Sequence, residues 1–586
     1  MTAATPPHAQ ALAGSGRAAR SRDGSVRLAG VARGGALNLA GALVAAFTTL
    51  ALTVVITRQY SKPVAGAFFT ATSLFLIVEA ASGLGAYVGL VNFIARLRRL
   101  GHETLIPAIL RAAIIPVVVT SLVAATALIL FAEPLARLLL SGHLGHVGAS
   151  PDVVANALRV LALALPFAAM SDTLLGASRG YRVMRPTVVV DKIGRASTQL
   201  IGVLIAVSAG GLALLAPLWA LAYVPAAVIA WYWLRRIRRS QQPGPEVAVE
   251  APERPGVHRL PAGPARPARP GANAAGRHRR TVSMGAGVGS ATASGFWRFT
   301  GPRALATLAQ ITIQRIDIVL VAIIRGPAAA AVYTAATRFL VAGQFANAAV
   351  NQSAQPRFAE LFAVDDRRGA NVIYRATTAW LIVLTWPLYL LAVIYGPEVL
   401  SIFGHSYRAG HLVMIILGLT MLLATACGQV DMVLITTGRS SWSLANGLGA
   451  LVINVGLDLL LIPRFGITGA AIGWAAAIIV TNVTPLVQLA ISVRLHPFGR
   501  GSVQAAGLAV LSFAVIPLAA RAAFGPGAAV SAGAILAGCV TQAAGLWWFR
   551  DSLRLAALPG MSRLAKTFPF RYLQGGGPAW AKYWRS

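Results

Sequence analysis

The 586-residue chain has few charges, very few negative ones and almost no cysteine. Charged residues make up 12% of it against 56% hydrophobic, and a water-facing surface for a protein of this size cannot be assembled from so few charges. A soluble globular domain is therefore excluded for the chain as a whole. The two cysteines, Cys427 and Cys539, fall inside apolar runs, which argues against a disulfide framework and against a thiolate metal site. Acidic residues number 18 against 51 Lys and Arg, a net charge of +33. On a soluble domain that imbalance would suggest nucleic acid, so the location of the charges decides what it means.

What the chain does have is apolar runs. About fourteen of them approach the roughly 20 residues needed to cross about 30 Å of hydrocarbon. The first six lie near 34–57, 64–88, 107–132, 153–176, 187–209 and 212–234. After an interruption come 298–324, 328–352, 371–396, 409–436, 441–463 and 467–492, then 503–521 and 526–548. The basic residues sit at their ends. Arg17, Arg20, Arg22, Arg27 and Arg33 precede the first run, Arg96, Arg98 and Arg99 follow the second, and Arg179, Arg182 and Arg185 follow the fourth. Alternate loops carry only isolated cations such as Arg58, Arg137, Arg325, Arg408 and Arg464. This is the positive-inside pattern, and it places both termini and the long central loop in the cytoplasm of a plasma-type membrane. The first 33 residues are Ala-rich and basic without an apolar core ahead of a cleavage site, so the first span is expected to be retained.

The chain is accordingly expected to be an all-α polytopic membrane protein. Its parts are a basic cytoplasmic segment (1–33), a lobe of six spans (34–234), a linker (235–295), a second six-span lobe (296–495), two further spans (496–548) and a basic cytoplasmic tail (549–586). The linker is a Pro/Gly/Ala/Arg stretch with few large apolar residues, so it is expected to be disordered. It could lie on anionic headgroups or dock a partner. The tail mixes Arg and Lys with Phe, Tyr and Trp, which suits a headgroup region and not a nucleic-acid site.

The two six-span sets match at a fixed offset of 264 residues, from Pro63 to Pro327. Ala65, Ala67, Thr70, Ala71, Phe75 and Leu76 recur as Ala329, Ala331, Thr334, Ala335, Phe339 and Leu340, and Phe69 stands opposite Tyr333. With an even number of spans per unit the repeats run parallel, related by an axis along the membrane normal. Such symmetry suits alternating access, with a path between the lobes.

An ionisable residue well inside a span is a functional candidate by default. Arg315 lies ten residues before Arg325, and Arg338 eleven after Pro327. At 1.5 Å per residue each is about 15 Å from the same end of its span, near mid-membrane. Two guanidiniums at one depth could clamp a diphosphate, because each offers a fixed fork of donors. The plainer reading is that Arg338 pairs with Asp317 on the neighbouring helix. Arg298 and Arg303, at the cytoplasmic end of the seventh span, could receive a headgroup or merely snorkel. Lys192 and Arg195 in the fifth span admit the same two readings. Among the carboxylates Glu79, Asp172, Asp191, Asp317, Asp431 and Asp458, a proton or Na+ gradient could couple through Glu79, Asp317 or Asp431, or each could neutralise an arginine. No catalytic residue, no metal site and no tightly bound cofactor is read from the sequence. His143 and His146, with His405 and His411, are the only clustered loop histidines that an embedded glycosyltransferase or polymerase could use, and such an enzyme needs a larger exported loop than any here.

The segment Arg315–Leu361, beginning RIDIVLVAIIRGPAAAAVYTAATRFL, resembles helices seven and eight of the polysaccharide and oligosaccharide flippases of the MATE/MOP superfamily. The segment Thr436–Ala477, TTGRSSWSLANGLGALVINVGLDLLLIPRFGITGAAIGWAAA, is similar to that family's helices eleven and twelve. The resemblance implies two six-helix lobes around a cavity, and the flipping of a polyprenyl-diphosphate glycan for cell-surface polysaccharide, with cationic residues holding the diphosphate. It also implies contact with membrane lipids and, through the linker, with polysaccharide-assembly proteins. Peptidoglycan-precursor flippases carry functional arginines in the first helix, and this one has none; drug exporters often place a carboxylate there, and this chain offers Asn38. Both remain alternatives to the general glycan reading.

Overall fold

The computed structural model describes residues 40–140, 150–240, 288–550 and 552–553. The described residues are helical throughout, without strands. Twelve helices are long and apolar enough to cross a membrane. Two more long helices, over 187–208 and 327–363, are not among those twelve, against about fourteen apolar runs in the sequence; the first carries Asp191, Lys192 and Arg195.

In the first lobe α1 (Ala40–Gln59) leads into α2 (Lys62–Ser82), which Ser61 and Pro63 start. The second span was expected to end near 88, but it breaks at Gly83–Gly85 and resumes as α3 (Ala86–Arg99). Leu84 and Gly85 take positive φ of 47° and 60° there. A Cβ on Gly85 would lie 2.7 Å from the Cα of Ala304, so both the turn and the close approach require glycine. Then come α4 (Ile106–Leu130), the short α5 (Ala132–Leu139) and α6 (Pro151–Gly180). A π-helical stretch, Thr187–Arg195, runs into α7 (Ala196–Ser208), and α8 (Leu212–Leu221) and α9 (Tyr223–Ser240) close the lobe.

The linker is shorter than its composition suggests. Arg235, Arg236, Arg238 and Arg239 belong to α9, and α10 (Val288–Arg325) begins well before 296. The rest of the linker, the N-terminal segment, His143 and His146, and nearly all of the tail lie outside the described residues. The second lobe follows with α11 (Pro327–Ala363), α12 (Arg367–Ile394), α13 (Gly396–Ser401), α14 (His411–Ala426), α15 (Val430–Thr436), α16 (Ser440–Phe465) and α17 (Ile467–Ser492). Both α10 and α11 outrun the spans drawn from hydropathy, because their polar residues lower the apolar average without breaking the helix. Finally α18 (Arg500–Val510), α19 (Ile516–Phe524) and α20 (Ala528–Trp548) pack against α12, where Trp380 Nε1 donates to the Leu553 carbonyl at 3.0 Å.

Apolar side chains face outward along these helices, including Leu122 and Val123 on α4, Leu459 and Leu460 on α16, and Leu536 and Val540 on α20. That is the surface of a bundle solvated by lipid tails. Inside, one apolar core crosses both lobes, joining Phe69, Phe75 and Trp219 of the first to Tyr333, Phe403 and Tyr407 of the second.

Backbone contacts sort the helix ends. The richly basic end holds Arg98, whose Nη1 reaches the Tyr181 carbonyl at 3.3 Å. At the opposite end α2 and α11, the two second helices of the repeat, meet so closely that a Cβ on Gly66 would lie 1.7 Å from the Pro327 carbonyl oxygen. Arg58 there donates from Nε and Nη2 to the carbonyls of Ile402 and Ser401, at 2.7 and 2.8 Å, and Lys62 reaches the Ser406 carbonyl at 3.3 Å. This end of the bundle is shut.

Candidate functional site: an arginine pocket between the lobes

Arg315 on α10 and Arg338 on α11 line one pocket with Gln314, Asp317, Ile318, Tyr333, Thr337 and Trp474 of α17. The two guanidiniums are close enough to repel each other. Arg315 also lies within electrostatic reach of Tyr223 on α9, so the pocket sits where the second lobe faces the first. Asp317 lines the same pocket but is ion-paired to neither arginine, and Arg338 Nε is buried without a hydrogen-bond partner. Two half-buried cations set side by side are costly unless an anion balances them.

The ion pair between Arg338 and Asp317 is absent. Asp317 is 2% exposed and turns to the interior of its own lobe, where the Tyr333 hydroxyl donates to its Oδ2 at 2.7 Å. Asp458 of α16 is within hydrogen-bonding reach of it, and Asn454 Nδ2 donates to Asp458 Oδ2 at 3.3 Å. The physical reason is competition for the carboxylate: Asp317 lines the pocket, but its oxygens are taken up by Tyr333 and Asp458 and not by Arg338. Asp317 Oδ1, Asp458 Oδ1 and Asn454 Oδ1 are all buried and unpartnered. Together they form a pocket of oxygens fit for a proton or a small monovalent cation.

Glu79 lies in a second polar cluster, in the first lobe. Asp172 on α6 is within hydrogen-bonding reach of it, and Asp191 and Arg195 are near. Arg195 grips Asp191 Oδ1 with Nε at 2.8 Å and Nη2 at 2.5 Å, and it lies 5.3 Å from the centre of the Tyr223 ring. Arg195 is therefore part of an internal network and not a snorkelling anchor. Tyr223 packs under the Arg195 guanidinium of this cluster and lies within electrostatic reach of Arg315. Nothing in the sequence marked it, since tyrosine is common in membrane helices.

The remaining candidates separate from the pocket. Arg303 folds back on α10, its Nη1 3.0 Å from the Phe299 carbonyl and its guanidinium 3.8 Å from the centre of the Phe299 ring. Arg298 is exposed one turn nearer the basic end. Asp431 accepts a hydrogen bond from Ser443 Oγ at 2.5 Å and so ties α15 to α16, away from any arginine. Arg159 pairs with Glu133 at 3.0 Å, as an anchor would. No group of three or more His, Cys, Asp or Glu among the described residues could hold a metal ion.

The comparisons with known proteins bear on the two-lobed helical fold. Residues 302–460 match the family model described as MatE. The whole fold is similar to that of the lipid II flippase MurJ in an inward closed conformation, at 12% identity and a TM-score of 0.61, over 88% of this chain and 99% of that one. It is similar to a multidrug resistance MATE family transporter of the MOP superfamily in an inward-facing conformation, at 15% identity and 0.54, over 76% and 95%. A MOP superfamily transporter from Pyrococcus furiosus, described as having a binding pocket of reverse polarity, matches at 16% and 0.51, over 78% and 94%. No curated protein matches the chain by sequence. The chain has the fold of the MOP superfamily transporters.

Proposed function

We propose that the chain is a transporter that moves a polyprenyl-diphosphate-linked saccharide from the cytoplasmic to the outer leaflet by alternating access. The carrying observation is the Arg315–Arg338 pair, set side by side in one pocket with no carboxylate ion-paired to either. A cation exporter gains nothing from such a pocket, whereas a diphosphate meets two forks of donors in a medium where charge pairing is strong. The basic end of the bundle faces the cytoplasm under the positive-inside rule, so the shut end faces outward and the site loads from within. Polysaccharide-assembly proteins could meet the chain through the linker.

The test is transfer of a fluorescent polyprenyl-diphosphate oligosaccharide in proteoliposomes, read by quenching from outside. Protein-dependent loss of the protected fraction supports the reading. Vesicles that leave this lipid in place yet accumulate an organic cation dye would establish the antiporter instead.

The two carboxyl clusters support coupling to an ion gradient. A hydrogen bond between two carboxyl groups needs a proton between them, and removing that proton leaves a site that a monovalent cation can fill. The Asp317–Asp458 cluster sits beside the pocket and supports this role better than Glu79, while Asp431 lacks the surroundings for it. Asp458→Asn is expected to make the transfer rate insensitive to imposed proton and sodium gradients. Unchanged gradient dependence in that variant, combined with its loss in Glu79→Gln, would move the coupling site to the first lobe.

A further inference from the structure

The helices that carry the two arginines also carry uncharged polar residues at helical spacing. On α10, Arg303, Thr307, Gln310 and Gln314 fall at i, i+4, i+7 and i+11, which is one stripe down the helix. On α11, Gln344, Asn351 and Gln355 fall at i, i+7 and i+11, a second stripe. Gln310, Gln314 and Gln355 are exposed, and Gln344 and Asn351 are half-buried.

These faces do not look at lipid. A carboxamide in hydrocarbon without a partner is strongly disfavoured, which bears on Gln310, Gln314 and Gln344; counted from Pro327 at 1.5 Å per residue, Asn351 and Gln355 lie about 36 and about 42 Å along α11, at the basic end beyond the hydrocarbon. Among the described residues α11 exposes no large apolar side chain, and α10 exposes only Leu305, whereas α4, α16 and α20 each expose several. Gln314 lines the arginine pocket itself. The α10 stripe therefore leads from the pocket toward the basic end, and the α11 stripe lies toward that same end. From Gln314 to Arg303 the α10 stripe covers about 16 Å.

We infer that these two stripes are a binding lane for the neutral sugar portion of the substrate, with Gln310, Gln314, Asn351 and Gln355 as its specificity-determining residues. A carboxamide offers two donors and an acceptor at once, which matches hydroxyl groups that both give and take hydrogen bonds. None of the four carries charge, so they add nothing for a diphosphate or a cation, and a lane of this length serves an oligosaccharide better than a single ring. The inference rests on the proposed function: the arginines hold the diphosphate, and the sugars extend from it toward the cytoplasm.

The experiment compares Gln310→Leu/Gln314→Leu and Asn351→Leu/Gln355→Leu with the unaltered full chain. Two probes are used, a polyprenyl diphosphate bearing an oligosaccharide and the same polyprenyl diphosphate without sugar. Each is measured as transfer in proteoliposomes and as binding to the detergent-solubilised chain. Loss of several neutral hydrogen bonds predicts that affinity for the glycan-bearing probe falls by at least about tenfold in each variant, while affinity for the bare diphosphate stays within about twofold. Parallel losses for both probes, or no loss for either, would overturn the lane and leave the arginine site standing. An unaltered chain that binds neither probe overturns the proposed function, and the lane with it.

Discussion

Alanine at both Arg315 and Arg338 is expected to lower diphosphate-lipid transfer by at least about a hundredfold, since each charged hydrogen bond contributes roughly 1.5–3 kcal/mol. The same double variant is expected to fold as well as the unaltered chain, or better. Neither guanidinium is ion-paired to a carboxylate, and Asp317 in the same pocket keeps its hydrogen bond from Tyr333, so truncation orphans no ion-pair partner and removes a repulsion. This combination separates binding from scaffolding. Had Arg338 held Asp317, its loss would strand a buried charge and destabilise the protein strongly. Arg338→Lys supplies the intermediate case, with the charge kept and the fork lost, and transfer is expected to be only partly retained. A detergent melting curve and a flipping assay on the same preparation measure both quantities. A double variant with full transfer, or one whose lost transfer follows lost stability, would remove the arginines from the site.

The spans were legible because lipid imposes long apolar runs, and Arg315 and Arg338 were legible because an arginine in such a run is rare enough to demand an explanation. Their depth followed from counting residues to Arg325 and Pro327. Partners were not legible in this way. That Asp317 finds Asp458 and Tyr333 depends on α10 lying against α16, and hydropathy carries no record of which helices adjoin. The i, i+4 spacing of Asn454 and Asp458 was a usable signal, because it sets a carboxamide and a carboxylate one turn apart inside an apolar helix. The extents of α10 and α11 were misjudged for a related reason. Hydropathy treats Gln310, Gln314, Asn351 and Gln355 as interruptions, whereas a helix bordering an aqueous space needs no apolar stripe on that side. The turn at Gly83–Gly85 was hidden because glycine is frequent in membrane helices, and only the approach of Ala304 shows why these residues must be small.

The repeat marked α2 and α11 as equivalents, and the structure makes them the seam that shuts the end opposite the basic one. Gly66 stands at its tightest point. A side chain there has no soft neighbour to displace, because the atom 1.7 Å from its Cβ position is the Pro327 carbonyl oxygen. Gly66→Leu is therefore expected to hold the chain open at that end and to reduce transfer by about a hundredfold or more, since alternating access needs both end states. Arg58→Ala acts on the same closure more gently. It removes the two exposed hydrogen bonds to Ile402 and Ser401, and at roughly 0.5–1 kcal/mol apiece their loss shifts the balance toward opening by about five- to thirtyfold. Thr70, one turn along α2 from Gly66 and 1% exposed, reports the change. In a Cys539→Ser background, Thr70→Cys is expected to react slowly with a membrane-impermeant thiol reagent, faster with Arg58→Ala added, and fastest with Gly66→Leu. Equal labelling rates in all three backgrounds, with transfer preserved in Gly66→Leu, would show that the α2–α11 contact is fixed packing and that the lobes part along some other line.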